Sequence, residues 1–139
     1  MAEAEDPRRL VAEFELVQRE MGRVERRLEA LEEAVMEANQ AAATLRALAG
    51  AKKPAEALVP VGAGIHVRAR LDSSAPVVRP VGAGTSVDGP LADAQAQLEA
   101  RVEALTRSFQ EASEHAQRLA QAAAELQGRL ASHPEADMV

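Results

Sequence analysis

Apolar residues in the first third of the chain recur at alternating steps of four and three, from Leu10 to Ala49. This spacing is the heptad repeat of a coiled coil, with Phe14 at an a position and Val17 at a d position. The pattern predicts a first helix over residues 8–50 with one apolar stripe, which we call the seam. Its seam residues are Leu10, Phe14, Val17, Met21, Val24, Leu28, Leu31, Val35, Ala38, Ala42, Leu45 and Ala49.

The last third of the chain carries the same repeat and predicts a second helix over residues 90–131. Asp88 or Gly89 is expected to cap its start, and Pro90 suits its first turn. The seam residues of this helix are Leu91, Gln95, Leu98, Val102, Leu105, Phe109, Ala112, Ala116, Leu119, Ala123, Leu126 and Leu130.

The matched lengths of the two helices predict that they fold back on each other. In an antiparallel alignment, small residues of each helix face large residues of the other, which fills a seam without voids. The expected partners are Ala38 and Ala42 with Val102 and Leu105, and Ala112 and Ala116 with Leu28 and Leu31.

Residues 56–88, between the helices, predict two β-hairpins. The run Ile65–Leu71 alternates apolar and polar positions with period two, as a half-buried strand does. The segment PVGAG occurs at 60–64 and again at 80–84, each time between aliphatic runs. Glycine suits a hairpin turn because it adopts positive φ without a steric penalty. The predicted turn glycines are Gly62, Gly64, Gly82 and Gly84.

Paired glycines also occur in phosphate-binding loops, which is the competing interpretation. A dinucleotide fingerprint needs G-x-G-x-x-G entering a helix, and a P-loop needs G-K-[ST]. Here Val67 and Val87 stand at the third glycine position, no lysine follows, and each GAG enters a predicted strand. The glycines are therefore predicted to form turns.

The predicted sheet has no cover within the chain. Isolated hairpins are marginally stable in water and their edges invite pairing, while each helix uses its seam on the other helix. Pro60 and Pro80 cannot donate ladder hydrogen bonds, so they are expected at strand starts or edges. The cover must come from other chains, so the sequence predicts a subunit of an oligomer.

Composition narrows the class of protein. Apolar residues make up 47% of the 139 residues but only two are aromatic, which disfavours a compact globular core. The absence of cysteine suits a reducing cytosol, and no apolar run is long enough for a membrane span. The net charge of −6 disfavours general nucleic-acid binding. We expect a cytoplasmic protein that binds neither membrane nor nucleic acid.

The sequence offers no candidate chemistry. No nucleophile stands with a base in a recognisable arrangement, and His66, His115 and His133 each lack a second ligand at metal spacing. The glutamates of the first helix are interpreted as a solvated face. We expect no enzyme activity, no catalytic residue, no metal and no cofactor.

The segment LVPVGAGIHVRARL, with a second VGAG twenty residues on and a long helix on either side, resembles the α subunit of archaeal prefoldin. The resemblance covers nearly the whole chain. It implies an α+β fold in which a long antiparallel two-helix coiled coil carries two central β-hairpins that join an intersubunit β-barrel. Residues 1–139 are then a single prefoldin-like domain, with residues 132–139 as a flexible tail.

The same resemblance implies partners and a function. The expected assembly is a hexamer of two α and four β subunits. It would act as an ATP-independent chaperone that captures unfolded proteins and delivers them to a group II chaperonin. The alternative kept open is a prefoldin-like scaffold or assembly protein without general holdase activity; a coiled-coil adaptor for nucleic acid is a more distant one.

Two sets of site residues follow. The barrel set is expected to contact neighbouring subunits and consists of Val61, Ile65, Val67, Leu71, Val77, Val78 and Val81. The client set lies at the start of the first helix and the end of the second, where apolar positions extend beyond the seam. It consists of Leu10, Val11, Phe14, Leu16, Val17, Leu126 and Leu130. All of these except Val11 and Leu16 are also seam residues, so they are expected to contact clients only where the helices part.

Overall fold

A computed structural model describes residues 6–133 of the chain, in six elements. The predicted architecture of two long helices with two antiparallel β-hairpins between them is confirmed. Residues 134–139 of the predicted tail lie outside the described residues. The elements are helix α1 (Pro7–Ala49), strands β1 (Ala55–Gly62), β2 (Ile65–Leu71), β3 (Val77–Gly82) and β4 (Thr85–Gly89), and helix α2 (Leu91–Ala131).

The chain divides into two compact units, which are described separately. The first unit pairs the start of α1, up to Glu33, with α2 from Leu105 onward. The second unit is Ala34–Ala104 and contains the end of α1, both hairpins and the start of α2. No helix between residues 6 and 133 is long and apolar enough to cross a membrane.

Helix α1 begins at Pro7 because Asp6 caps it. The Asp6 carboxylate accepts a hydrogen bond from the backbone N–H of Arg8 at 3.0 Å, and the proline occupies the first helical position. The helix ends where Gly50 N–H donates to the carbonyl of Arg46 at 3.1 Å. The end predicted for this helix, at residue 50, lies within one residue of the observed end.

The predicted cap of α2 was wrong. Asp88 and Gly89 belong to β4, where they pair with β3, and the helix begins two residues after this strand, at Leu91. The first turn is instead closed by Asp93, whose N–H donates to the carbonyl of Pro90 at 3.0 Å. The carboxylate of Asp93 also lies at the positive end of the helix dipole, where a negative charge is favourable.

In the first unit, the most buried residues of each helix occupy the same heptad position. Leu10 and Val24 on α1, and Ala112 and Leu126 on α2, are each at most 8% exposed. The two residues in each helix are fourteen positions apart, which is two heptads. The heptad assignment of both helices in this unit therefore agrees with the burial observed.

The predicted alignment of the two seams was wrong in the first unit. Val24 and Ala112 line one groove and Met21 and Ala116 line another, so the helices are antiparallel but shifted by a heptad from the expected pairs. Extending this alignment by two heptads places Leu10 opposite Leu126. Met21 and Val24 still face alanines, whereas Leu10 faces Leu126, so the rule that large residues face small ones holds for only part of this seam.

The second unit also departs from the predicted seam at the start of α2. Leu91 and Ala94 are buried, whereas Gln95 is only half-buried. Ala94 lies beside Leu45 of α1 in a groove. A glutamine at a seam position keeps its amide near water, and the adjacent alanine takes the buried place.

The hairpins are two separate two-stranded sheets with the same turn. In β1–β2 the register runs from Ala55 opposite Leu71 to Gly62 opposite Ile65, with a bulge between Pro60 and Gly62. Strands β3 and β4 repeat this arrangement, with a bulge between residues 80 and 82. The bulge adds one residue to the first strand of each hairpin, which sharpens its local twist.

Pro60 and Pro80 were expected at strand starts or edges, and both lie within edge strands. Pro60 lies within β1 opposite His66, and Pro80 lies within β3 opposite Ser86. Each strand has a neighbour on one side only, so each is an edge strand. A proline is tolerated there because it stands beside the bulge, where the ladder is already interrupted.

The PVGAG turns place three consecutive residues at positive φ. In the first turn Gly62 has φ of 116°, Ala63 of 54° and Gly64 of 78°, and the second turn has nearly the same values. The glycines were predicted to adopt this conformation, but the alanine between them was not. A positive φ at alanine is strained, and a two-residue turn of this kind favours Asn-Gly.

The loop between the hairpins is fixed by Asp72. Ser74 donates its backbone N–H at 2.9 Å and its hydroxyl at 2.7 Å to the carboxylate of Asp72. These two bonds, the backbone one first, lower the pKa of that carboxyl from its ordinary value.

The seam supplies the first prediction. Leu126→Ala removes a side chain that is 8% exposed, and it should lower the free energy of unfolding by about 2–4 kcal/mol. Leu16→Ala, at a leucine that is 61% exposed, should change it by less than ~0.5 kcal/mol. Urea unfolding followed by circular dichroism measures both, and equal losses in the two variants would contradict the packing described.

The turns supply the second prediction. Ala63→Asn keeps the left-handed conformation at lower cost and should raise stability by about 0.5–1 kcal/mol, whereas Gly64→Ala should lower it by ~1–2 kcal/mol. A Cβ at Gly64 meets no atom within 4 Å, so backbone strain alone is tested. The thermal midpoint of unfolding is measured for each variant. If Gly64→Ala raised it, Gly64 would not have the positive φ described here.

Candidate interaction surfaces

The first hairpin has one apolar face. Residues that are directly paired across a hairpin share a face, and the pairs Val59–Val67 and Ala55–Leu71 are apolar on both strands. Ile65 continues the alternation of β2 onto this face. Its four larger side chains, those of Val59, Ile65, Val67 and Leu71, are 40–61% exposed, whereas its three alanines are half-buried, so the described chain leaves most of this face uncovered. We call it the hairpin-1 face, formed by Ala55, Ala57, Val59, Ile65, Val67, Ala69 and Leu71.

Half of the residues on the opposite face of the first hairpin are charged. Arg68 stands opposite Leu58, and Arg70 opposite Glu56. Arg68 lies 4.0 Å from the Glu56 carboxylate, and both side chains are well exposed. Such a pair contributes little to stability in water. Its exposed charges suit contact with solvent, which the apolar face of the same hairpin does not.

The second hairpin turns one face toward its own helix. Arg79 shares a face with Val77 and Val87, and its Nη1 donates a 2.6 Å hydrogen bond to Gln97 Oε1 on α2. Gln97 Nε2 in turn donates to the carbonyl of Pro80 at 2.8 Å. The hairpin is thereby tied to α2 through polar side chains rather than through an apolar core.

This arrangement separates the barrel set into two groups. Val77 is half-buried on the face turned to α2, while Val78, on the opposite face, is 68% exposed. The other five residues of the set are all at least 40% exposed. Val61 and Val81 stand at the two bulges, where they have no partner in the register.

The client set is mostly inside the first unit. Leu10 is 4% exposed and Leu126 is 8% exposed, so a client can reach neither while the helices are paired. Val11, Phe14, Val17 and Leu130 are half-buried. Leu16, at 61%, is the one fully exposed member of the set.

Val11 and Leu16 do not extend one continuous surface. Successive helical residues are ~100° apart, so these two positions lie about 140° from each other around α1. One helical turn from Leu16 stand Ala12, Glu13, Arg19 and Glu20, which are polar except for the alanine. At the start of α1 the apolar surface therefore extends beyond the seam on one side, where Val11 lies. It does not extend as far as Leu16.

Sequence reasoning missed several exposed apolar residues. Leu58, Val59 and Val87 are 61%, 42% and 37% exposed on the hairpins, and Met36 is 57% exposed on α1. Val59 was detectable, because the turn fixes the register that places it opposite Val67. Met36 carries no signal, since single exposed apolar side chains are common on any surface.

His115 lies closer to a partner than the sequence indicated. Its Nε2 is 3.6 Å from Glu20 Oε1 across the first unit, and both side chains are partly exposed. The two residues border the groove of about 300 Å³ that Val24 and Ala112 line, together with Arg23 and Arg27. A polar contact at the rim of a small-residue seam fits the alignment described above.

Comparison with known proteins agrees on one family. A family model for Prefoldin, described as prefoldin subunit, matches residues 17–133. Prefoldin subunit alpha of Methanothrix thermoacetophila is 35% identical over 97 residues, which cover 70% of this chain. The matched segment spans 59% of that relative's length.

A solved structure supports the fold. The cryo-EM structure of filamentous PFD from Methanocaldococcus jannaschii superposes with a TM-score of 0.54 at 23% identity, covering 88% of this chain and 95% of that one. At this identity the likeness concerns the fold alone. The resemblance drawn from the repeated PVGAG turns between two heptad helices is thus confirmed, and the chain belongs to the prefoldin family.

Proposed function

We propose that this chain is a subunit of a chaperone oligomer that holds unfolded polypeptides without ATP and delivers them to a group II chaperonin. The observation that carries the proposal is the uncovered hairpin-1 face in a chain of the prefoldin family. The proposed assembly contains two chains of this α type and four β-type subunits. It works in the cytoplasm, and its action needs no catalytic residue and no cofactor.

The need for partners follows from the energetics of the hairpins. Full burial of a valine, leucine or isoleucine is worth roughly 1.5–3 kcal/mol, and the barrel set leaves six such side chains at least 40% exposed. Two-stranded sheets without cover are marginal in water. Neighbouring hairpins that complete a barrel would bury these side chains and pair the open strand edges.

Client capture is proposed for the start of α1 and the end of α2. Leu16 is exposed there, and Val11, Phe14 and Leu130 are half-buried on the outer parts of the first unit. Leu10 and Leu126 would join them only if the helices part locally. Each such surface is small, so useful affinity would come from several subunits that bind one client together.

The assembly step is tested with the hairpin-1 face. Ile65→Ser and Val67→Ser remove exposed side chains, so the isolated chain should keep its stability within ~0.5 kcal/mol. The mass of the complex co-expressed with a β-type subunit should show dissociation at concentrations about 10- to 100-fold higher for each variant.

Leu58→Ser is the matched control, because Leu58 is as exposed as Ile65 but lies on the charged face of the same hairpin. It should leave the assembly unchanged. If the control and the two test variants weaken assembly equally, the apolar face is not the contact.

The client step is tested with Val11→Ser combined with Leu16→Ser. In an aggregation assay with a denatured protein, the intact assembly carrying both changes should need several-fold more chaperone for equal protection, because both α-type subunits lose contact area. Met36→Ser is the control at a similarly exposed residue. Unchanged protection by the double variant would reject these residues as client contacts, and no protection even by the unaltered assembly would favour a scaffold role.

A further inference from the structure

A groove of about 450 Å³ in the second unit combines aliphatic walls with positive charge that has no counter-charge. Its aliphatic lining includes Leu45, Val78 and Leu98. Its polar side chains are those of Arg79, Gln97 and Arg101, and among residues 6–133 no carboxylate lines it. The groove is therefore positive in a chain whose net charge is −6.

Arg79 is held in place without being neutralised. Its Nη1 donates to Gln97 Oε1 at 2.6 Å, and Gln97 Nε2 donates to the carbonyl of Pro80 at 2.8 Å. Because glutamine is neutral, this network fixes the guanidinium and leaves its charge uncompensated. Arg79 Nε is buried and has no acceptor in the described part of the chain, which is costly. The guanidinium edge formed by Nε and Nη2 is therefore the one that a carboxylate can bind with two parallel hydrogen bonds.

Arg101 adds a second charge to the same groove. It is exposed, and it makes no hydrogen bond or ion pair with the residues the structure describes. A guanidinium stays protonated at any pH near neutral, and its planar donors match the planar oxygens of a carboxylate. The ligand that suits this lining is therefore an anion, and a carboxylate in particular.

The aliphatic walls add a second requirement. Val78 is 68% exposed, and Leu45 and Leu98 are half-buried, so an apolar side chain that covers them removes apolar surface from water. A carboxylate beside an aliphatic side chain satisfies both parts of the lining. In a polypeptide this is an aspartate or glutamate next to a valine, leucine or isoleucine. Folded proteins bury most of their aliphatic side chains, so an unfolded chain is the molecule that presents both groups together.

We propose that this groove binds acidic segments of unfolded polypeptides, with the carboxylate held by Arg79 and Arg101 and an aliphatic neighbour on the apolar walls. The inference rests on the proposed holdase function and adds a client site in the second unit. The client set of the first unit consists of apolar residues only, so the groove gives the chain a preference that the client set lacks. A client bound at both sites would dissociate more slowly than one bound at either site alone.

The test measures binding of three fluorescent peptides to the complex of this chain with a β-type subunit. The first peptide contains Leu-Val-Asp-Leu, the second has asparagine in place of the aspartate, and the third keeps the aspartate but has serine in place of the three aliphatic residues. Fluorescence anisotropy should show that the first binds about tenfold more tightly than either of the others. The second loses the charge-assisted hydrogen bonds, and the third loses the apolar contact.

Variants of the two arginines assign this preference to the groove. Arg101→Gln should reduce the preference for aspartate over asparagine about threefold, because it removes one exposed charge. Arg79→Lys should reduce it at least as much, because lysine keeps the charge but not the two parallel donors. Arg107→Gln, at an exposed arginine of α2 in the first unit, is the matched control and should leave the preference unchanged.

Three outcomes would overturn the groove site. The first is equal binding of the first peptide and either of the others by the unaltered complex. The second is an equal loss of preference in Arg101→Gln and Arg107→Gln. The third is a complex that dissociates when it carries Arg101→Gln, which would make the groove a contact between subunits. If the unaltered complex still protects a denatured protein from aggregation, the groove inference fails in each case while the proposed function stands. If the complex neither protects that protein nor binds any of the peptides, the proposed function fails as well.

Discussion

The two helices have one apolar stripe each and use it on each other, and the rest of the structure depends on this constraint. In the first unit Leu10, Val24, Ala112 and Leu126 are buried along the helix pair, while the outward positions are charged. The hairpins between the helices are therefore left with little apolar surface to pack against. Val77 is half-buried on the side of α2, but the other valines of the hairpins stay exposed.

The two hairpins share a turn but differ in what they offer. The first is divided into an apolar and a charged face, so it can lie at the boundary between a partner and solvent. The second places Arg79 on the side of its own helix, where Gln97 holds it. The two hairpins thus have the same turn glycines and the same bulge, but different residues at the paired positions of their strands. For this reason they present two different surfaces.

Much of this could be predicted from the sequence, for identifiable physical reasons. Heptad spacing fixes which residues of a helix are buried, and Gly62 and Gly64 fix a two-residue turn, so the elements and the first hairpin's apolar side follow. The alignment of the helices could not be predicted, because a shift of one heptad keeps every seam residue in the seam and again sets some large residues opposite alanines. The bond between Arg79 and Gln97 depends on how hairpin and helix meet in space, which no local pattern encodes.

The small side chains of the seam affect both the stability of the helix pair and the ease with which its helices separate. Within residues 6–133 no large side chain is fully buried, and of the seven most buried residues three are alanine. Alanine contributes little burial energy, so the helix pair gains less per heptad than a leucine-rich coiled coil. Binding of partners to the folded chain adds stability in proportion to the logarithm of their concentration. A weakly packed pair fixed at its hairpins by partners would thus open most easily at the far ends of its helices, where Leu10 and Leu126 lie.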